Sequence, residues 1–200
     1  MDIEFSTLKS YKPQIQIRPL TLADALDIYE NVKDKEIVRY TINIPHPYHL
    51  ADARRFIKDS LKARKDKTAY IFGIELKGTK SVIGVISLSK IDKKNQKCEL
   101  GYWLGKKYWS QGTMTRAVKM ILEFAFKKLK IHRVYASTFV DNNGSIRVLE
   151  NNKFFLEGIQ YETILRKGKW YNLFLYGLLK DDYNRKLIVD RKQIKSKINI

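Results

Sequence analysis

The chain has 200 residues, of which 44% are hydrophobic and 30% charged, a balance that excludes wholesale disorder and a collagen-like fibre. Lys and Arg number 39 against 21 Asp and Glu, a net charge of +18, so an anionic partner is favoured: nucleic acid, the ribosome, a phosphorylated cofactor or an acidic membrane surface. The lone cysteine, Cys98, removes internal disulfides and thiolate metal clusters, and a polar start without a long apolar run points to a cytoplasmic protein with no membrane span.

Ile15 to Leu20 alternates like a strand, after which Thr21 or Asp24 is placed to cap a helix starting near Ala23 and ending before Asp34, with a further turn or two to Tyr40. A loop holding Pro45-His46-Pro47-Tyr48 leads to an amphipathic helix from Leu50 to about Lys65, whose apolar face carries Ala53, Phe56, Ile57, Ser60 and Leu61. Ala69 to Leu76 and Val82 to Ser89 read as a hairpin, with Cys98 to Leu104 as a third strand. The longest helical stripe follows: Met114, Ala117, Val118, Ile121, Leu122, Ala125 and Leu129. A strand from Arg133 to Phe139, a short helix from about Asn143 to Asn151 and two strands, Phe154 to Leu165 and Lys169 to Leu179, close the pattern. Asp181 to Ile200 reads as a helix or a frayed arm. The order predicts a mixed α/β sheet with helices on its faces, as one domain over 1–183 and a basic tail over 184–200.

The window Tyr108 to Thr115 joins a strand to the longest helix. First-turn amides lack intrahelical partners and carry the positive end of the helix dipole, so a turn bent at Gly112 can hold phosphate oxygens. Thr113, Thr115 and Arg116 stand where an acidic residue is usual, leaving that end uncompensated. By itself the window also fits an ordinary strand-to-helix bend. His46, His49 and Asp52 have metal-like spacing, but the prolines keep His46 off a helix, so no metal is expected.

Four segments in order, Arg18-Pro19-Leu20, Cys98 to Leu104, Trp109 to Thr115 and Asp141 to Glu150, resemble the GNAT acetyltransferase superfamily, closest to the branch that acetylates ribosomal-protein N-termini. The likeness runs from about Ile15 to Tyr183 and implies a GNAT-like fold: a central, mostly antiparallel sheet splayed at the cofactor site. It also implies acetyl-CoA as co-substrate and an acetyl group passed directly to a primary amine in a ternary complex. In the family loop Q/R-x-x-G-x-G/A the amides hold the pyrophosphate. Here Trp109, Ser110, Gln111, Gly112, Thr113, Met114 and Thr115 occupy it, with Met114 and Arg116 departing from the pattern. The backbone of Tyr102, Trp103 and Leu104 falls where the family holds pantetheine, although their side chains also suit a core. Asn142 and Ser145 match an N-x-x-S that contacts pantetheine and lies near the sulfur, while Asn142 and Asn143 also read as helix caps. The glycine that ends this helix in the family is missing, so Asn152 or Lys153 is expected to take the left-handed conformation.

The resemblance implies an acceptor cleft bordered by His46 and Tyr48 and floored by Glu99, with Glu99 as general base or substrate-orienting group and Ser145 or water as acid. An α-amine with a pKa of about 7.8 is roughly a quarter unprotonated at about pH 7.4, a lysine only about one part in a thousand. With no histidine or cysteine dedicated to base catalysis, a protein N-terminus is the preferred acceptor. A polyamine or antibiotic amine is the alternative. The basic surface also suits a nucleic-acid or ribosome-binding module of GNAT-like shape, and either a monomer or a homodimer fits.

Overall fold

The computed structural model describes residues 14–185. In chain order the elements are β1 (Ile15–Pro19), α1 (Ala25–Val32), α2 (Lys35–Arg39), α3 (Leu50–Lys65), β2 (Tyr70–Leu76), β3 (Val82–Asp92), β4 (Lys97–Leu104), α4 (Thr113–Glu123), β5 (Arg133–Phe139), α5 (Asn143–Asn151), β6 (Phe155–Arg166), β7 (Lys169–Leu179) and α6 (Lys180–Asn184). All seven strands join one sheet in the order β1-β2-β3-β4-β5-β7-β6. Every pairing is antiparallel except β4 with β5.

Two apolar layers cover the sheet. On one side Leu20, Ile28, Val32, Ala53 and Ile57 of α1, α3 and the segment before them pack on Val82 and Val85. On the other, Met114, Ala117, Val118, Ile121 and Leu122 of α4, with Leu149 of α5, pack on Ile83, Ile86, Leu88, Leu100 and Val134. Cover on both faces explains why Val82 to Ile86 is apolar without strict alternation. The stripe of α4 follows from its spacing of three and four, and the helix continues through a π turn, Phe124–Lys128, that buries Ala125 and Phe126. In α3 the buried residues are Ala53, Ile57 and Ser60; Leu61, predicted on the same face, is 42% exposed.

Local chemistry sets the ends. Thr21 and Asp24 form a reciprocal capping box around a 3-10 turn before α1, and the Asp24 carboxylate takes both Arg18 guanidinium nitrogens at 2.8 Å. At the end of α5 it is Lys153, not the asparagine, that turns left-handed, at φ +65°. Asn152 keeps an ordinary φ and uses its side-chain amide to reach Val148 O at 2.9 Å and Thr115 O at 3.2 Å, tying α5 to the first turn of α4. The chain after β7 forms the short α6, and the tail expected from 184 lies outside the described residues beyond 185.

Candidate active site

The parallel pair is short. β4 and β5 meet only at Lys97↔Arg133, Cys98↔Val134 and Glu99↔Tyr135. Beyond those rungs β4 follows β3 to Leu104 and β5 follows β7 to Phe139, so the two backbones part. A cavity of about 590 Å3 opens between them, lined by Leu100 to Leu104, by Ala136 to Thr138, and by the N-terminal turns of α4 and α5. Strand backbone facing such a gap has donors and acceptors free for an extended amide-bearing ligand, the geometry of an added strand.

The α4 end of the cavity is built for an anion. Gly112 caps the helix at φ +67°, ψ 9°, a left-handed conformation glycine takes without strain. Ser110 is also left-handed, at φ +61°, so the chain doubles back before the helix and turns its first amides toward the cavity. No acidic residue occupies the first turn. Thr113 is among the lining residues, and its hydroxyl is buried with no hydrogen-bond partner among the described residues, an uncompensated polar group. Trp109 Nε1 donates to Leu104 O at 2.6 Å and pins the loop to the strand. Arg116 Nη1 donates to Gln111 O at 3.3 Å, which stands its guanidinium beside the same turn. These residues fit a diphosphate, and the parted strands fit the amide-bearing arm that follows it in acetyl-CoA. Met114, which departs from the family pattern, is buried in the core and is also among the cavity-lining residues.

At the other helix, Asn142 Oδ1 accepts from Ser145 N at 3.0 Å, the cap expected from residue type. The Ser145 hydroxyl meets Tyr102 OH at 2.7 Å. Burial pushes the Tyr102 phenol well above its ordinary range, outweighing the Ser145 hydrogen bond. Tyr102 therefore stays protonated at neutral pH, its hydroxyl in hydrogen-bond contact with Ser145. Sequence reasoning named Ser145 or water as the acid; the structure sets Tyr102, 43 residues earlier in the chain, in contact with that serine.

Of the predicted site residues, Tyr102, Trp103, Leu104, Trp109, Ser110, Gly112, Thr113, Met114, Thr115, Asn142 and Ser145 line the cavity, and Gln111, His46, Tyr48 and Glu99 do not. Gln111 turns outward and donates to Lys107 O at 3.0 Å. His46 is exposed, while Tyr48 packs against the α1–α3 core, where burial pushes its phenol up to about 12. Glu99 stands outside the cavity lining: it occupies the last paired rung of β4 with β5, and its carboxylate lies 2.8 Å from Lys90 Nζ. The ammonium neutralises it and is itself held above the usual lysine range by that bond. Asp52, near the histidines, caps His49 N at 2.9 Å.

The wall that sequence reasoning assigned to His46 and Tyr48 is supplied instead by Glu36, Ile37, Tyr40 and Thr41 of α2 and its end. Tyr108, Asp141 and Arg147 are among the further lining residues that went unrecognised. Asp141 pairs with Arg39 at 3.6 Å, whereas Glu36 has no ion-pair partner among the described residues.

Against known proteins, the family described as Acetyltransferase (GNAT) domain matches residues 14–154. The N-acetyltransferase p20 of Bacillus licheniformis is 29% identical over 173 residues, covering 86% of this chain and 97% of that protein. The ribosomal-protein-serine acetyltransferase of Escherichia coli is 25% identical over 150 residues, covering 74% and 83%. Among solved structures, the microcin C7 self-immunity acetyltransferase MccE, in complex with acetyl-CoA and AMP, superposes with a TM-score of 0.75 at 25% identity, covering 83% and 92%.

Proposed function

The chain belongs to the GNAT acetyltransferase family, and from that premise we propose that the amine it acetylates is the N-terminal α-amine of a protein, a ribosomal protein being the leading class. Acetyl-CoA is its co-substrate and supplies the acetyl group as a reactive thioester. The observation that carries the acceptor reading is the cavity's poverty in bases: its lining has no histidine, lysine or cysteine, and its carboxylates are Glu36 and an Asp141 already paired with Arg39. Such a site suits an amine that arrives substantially unprotonated, about a quarter for an α-amine near pH 7.4.

A polyamine fits less well, because each of its ammonium groups calls for a carboxylate and the lining offers one that is unpaired. The ribosomal-protein-serine relative supports a protein acceptor. The net charge of +18 supports attraction to RNA-rich assemblies, strongest at low salt.

In the proposed reaction, acceptor and acetyl-CoA are held together in a ternary complex. The amine lone pair forms the new C–N bond as the C–S bond breaks. The amine gives its proton to water. Tyr102, through or beside Ser145, gives a proton to the departing thiolate and takes one back from the water that received the amine's proton, which restores the phenol. The first-turn amides of α4, Thr113 among them, hold the diphosphate, and the backbone of Trp103 and Leu104 holds the arm.

Thiol release from acetyl-CoA tests the acceptor, with peptides bearing free α-amines, N-blocked lysine peptides and spermidine as probes. Free α-amine peptides are expected to exceed the other two in kcat/KM by about tenfold or more, the scale of one charge-assisted hydrogen bond. Preference for spermidine or for the blocked lysine peptide would overturn the reading.

A further inference from the structure

We infer that Arg166, far in sequence from every motif of the site, is a positioning residue that clamps the α2 wall of the cavity onto the β6–β7 hairpin. The inference rests on the reading that the amine enters beside α2. That helix has five residues, of which only Ile37 is buried, and a helix so short has no stability of its own. Its last carbonyls are only partly served locally: Val38 O accepts from Thr41 N at 3.3 Å, and the lone pairs left over call for further donors.

Arg166 supplies those donors across 125 to 128 residues of sequence. Nη1 donates to Val38 O at 3.1 Å and Arg39 O at 2.8 Å, and Nη2 donates to Thr41 O. The guanidinium carbon lies 5.0 Å over the Phe139 ring, which in turn meets Tyr40 at 6.5 Å and Tyr171 edge-on at 5.8 Å. Phe139 ends the strand that bounds the cavity, two residues before the Asp141 that pairs with Arg39. Strand end, helix end and hairpin thus close a ring around one cation, which pairs with no carboxylate among the described residues. The negative end of the α2 dipole and the ring face balance its charge. A planar fork with several fixed donors reaches three carbonyls at once, and an ammonium cannot reproduce that geometry. Releasing it frees the segment that carries Glu36 and Tyr40 while leaving the phosphate turn of α4 untouched.

The test compares Arg166→Ala and Arg166→Lys with the unaltered protein by hydrogen exchange, by calorimetric titration with acetyl-CoA, and by kinetics on an alanine-initiated peptide and on spermidine. In the alanine variant, amides of 36–44 are expected to exchange about tenfold faster while those of α4 and α5 keep their rates. KM for whichever amine is turned over should rise about tenfold, with kcat within about threefold and acetyl-CoA affinity within about twofold, the scale of one net bond to a charged group. Lysine should recover only part of the loss. Unchanged exchange over 36–44, exchange accelerated throughout the chain, or acetyl-CoA affinity falling in step with the amine would each overturn the inference. Turnover of spermidine alone would overturn the protein-acceptor reading while the clamp is still judged on that KM and on exchange; if neither amine reacts, exchange alone decides it.

Discussion

Replacing Gly112 by Asp separates charge from shape at the phosphate turn, provided Gly112→Asn is measured beside it. A Cβ at this position would meet nothing nearer than Arg116 Nη1 at 3.5 Å, so both side chains fit. Both variants must hold φ +67°, which costs a non-glycine residue about 1 kcal/mol, with Asn and Asp among the residues that tolerate it best. The two differ by one negative charge. At about 5 Å and an effective dielectric of about 20, that charge opposes each phosphate charge by about 3 kcal/mol, and solvent at this exposed turn lowers the figure to about 2. Acetyl-CoA affinity should therefore fall about thirtyfold more in the Asp variant than in the Asn variant. A ligand concentration of about 100 times the native Kd stabilises the unaltered protein by about 2.7 kcal/mol and, taking the Asn variant to bind as the unaltered protein does, the Asp variant by only about 0.9. At about 2–4 °C per kcal/mol, the acetyl-CoA-induced rise in Tm should drop from about 5–11 °C to about 2–4 °C. Without ligand the Asp variant should be no less stable than the Asn variant, because a carboxylate beside a helix N-terminus is favourable. Equal acetyl-CoA affinities for the two would remove the diphosphate from this turn.

Tyr102→Phe should lower kcat by about tenfold to a hundredfold with acetyl-CoA affinity kept, as expected for a lost proton donor, whereas Glu99→Gln should keep turnover within about threefold; steady-state kinetics that reverse this order would return the proton chemistry to Glu99. The Asp24 carboxyl is buried, which alone would raise its pKa, but hydrogen bonds from Arg18 and the Thr21 amide outweigh burial and hold it low, and an Arg18 hydrogen bond does the same for Glu75. Both groups thus add stability that is full above the unfolded carboxyl pKa of about 4 and lost as pH falls toward their lower folded values. Asp24→Asn should cost about 3 kcal/mol at neutral pH and less in acid, read by urea unfolding at about pH 7 and pH 3; an equal cost at both would refute the linkage. Lys67, just past α3, holds φ +56°. Lys67→Gly should relieve about 1 kcal/mol and raise Tm, while Lys67→Ala, which keeps the Cβ, should not.

The elements that were legible from sequence carry their own local reasons. α3 falls where apolar spacing puts it, α5 where a capping asparagine puts it, and β5 matches its predicted span from Arg133 to Phe139. The left-handed turn at Gly112 was legible for the same reason: a glycine, a helix and a missing first-turn acid are neighbours in the chain. Glu99 shows where that reasoning stops. Alternation puts Glu99, Gly101 and Trp103 on one face of β4 and Leu100, Tyr102 and Leu104 on the other, but parity alone does not say which face meets Ser145. That depends on the helix after β5 crossing over the even-numbered face, a relation between segments some 40 residues apart. α2 was illegible as a wall because five residues carry too little periodicity to mark a buried face, and its anchor, Arg166, lies more than 120 residues away. The two halves of the cavity thus have different origins. The half proposed to hold the diphosphate is written in a continuous stretch around Gly112, whereas the half proposed to admit the amine is held by a cation that β6 and β7 bring to the end of α2. Substitutions in the hairpin should accordingly alter the choice of amine before they alter the grip on acetyl-CoA.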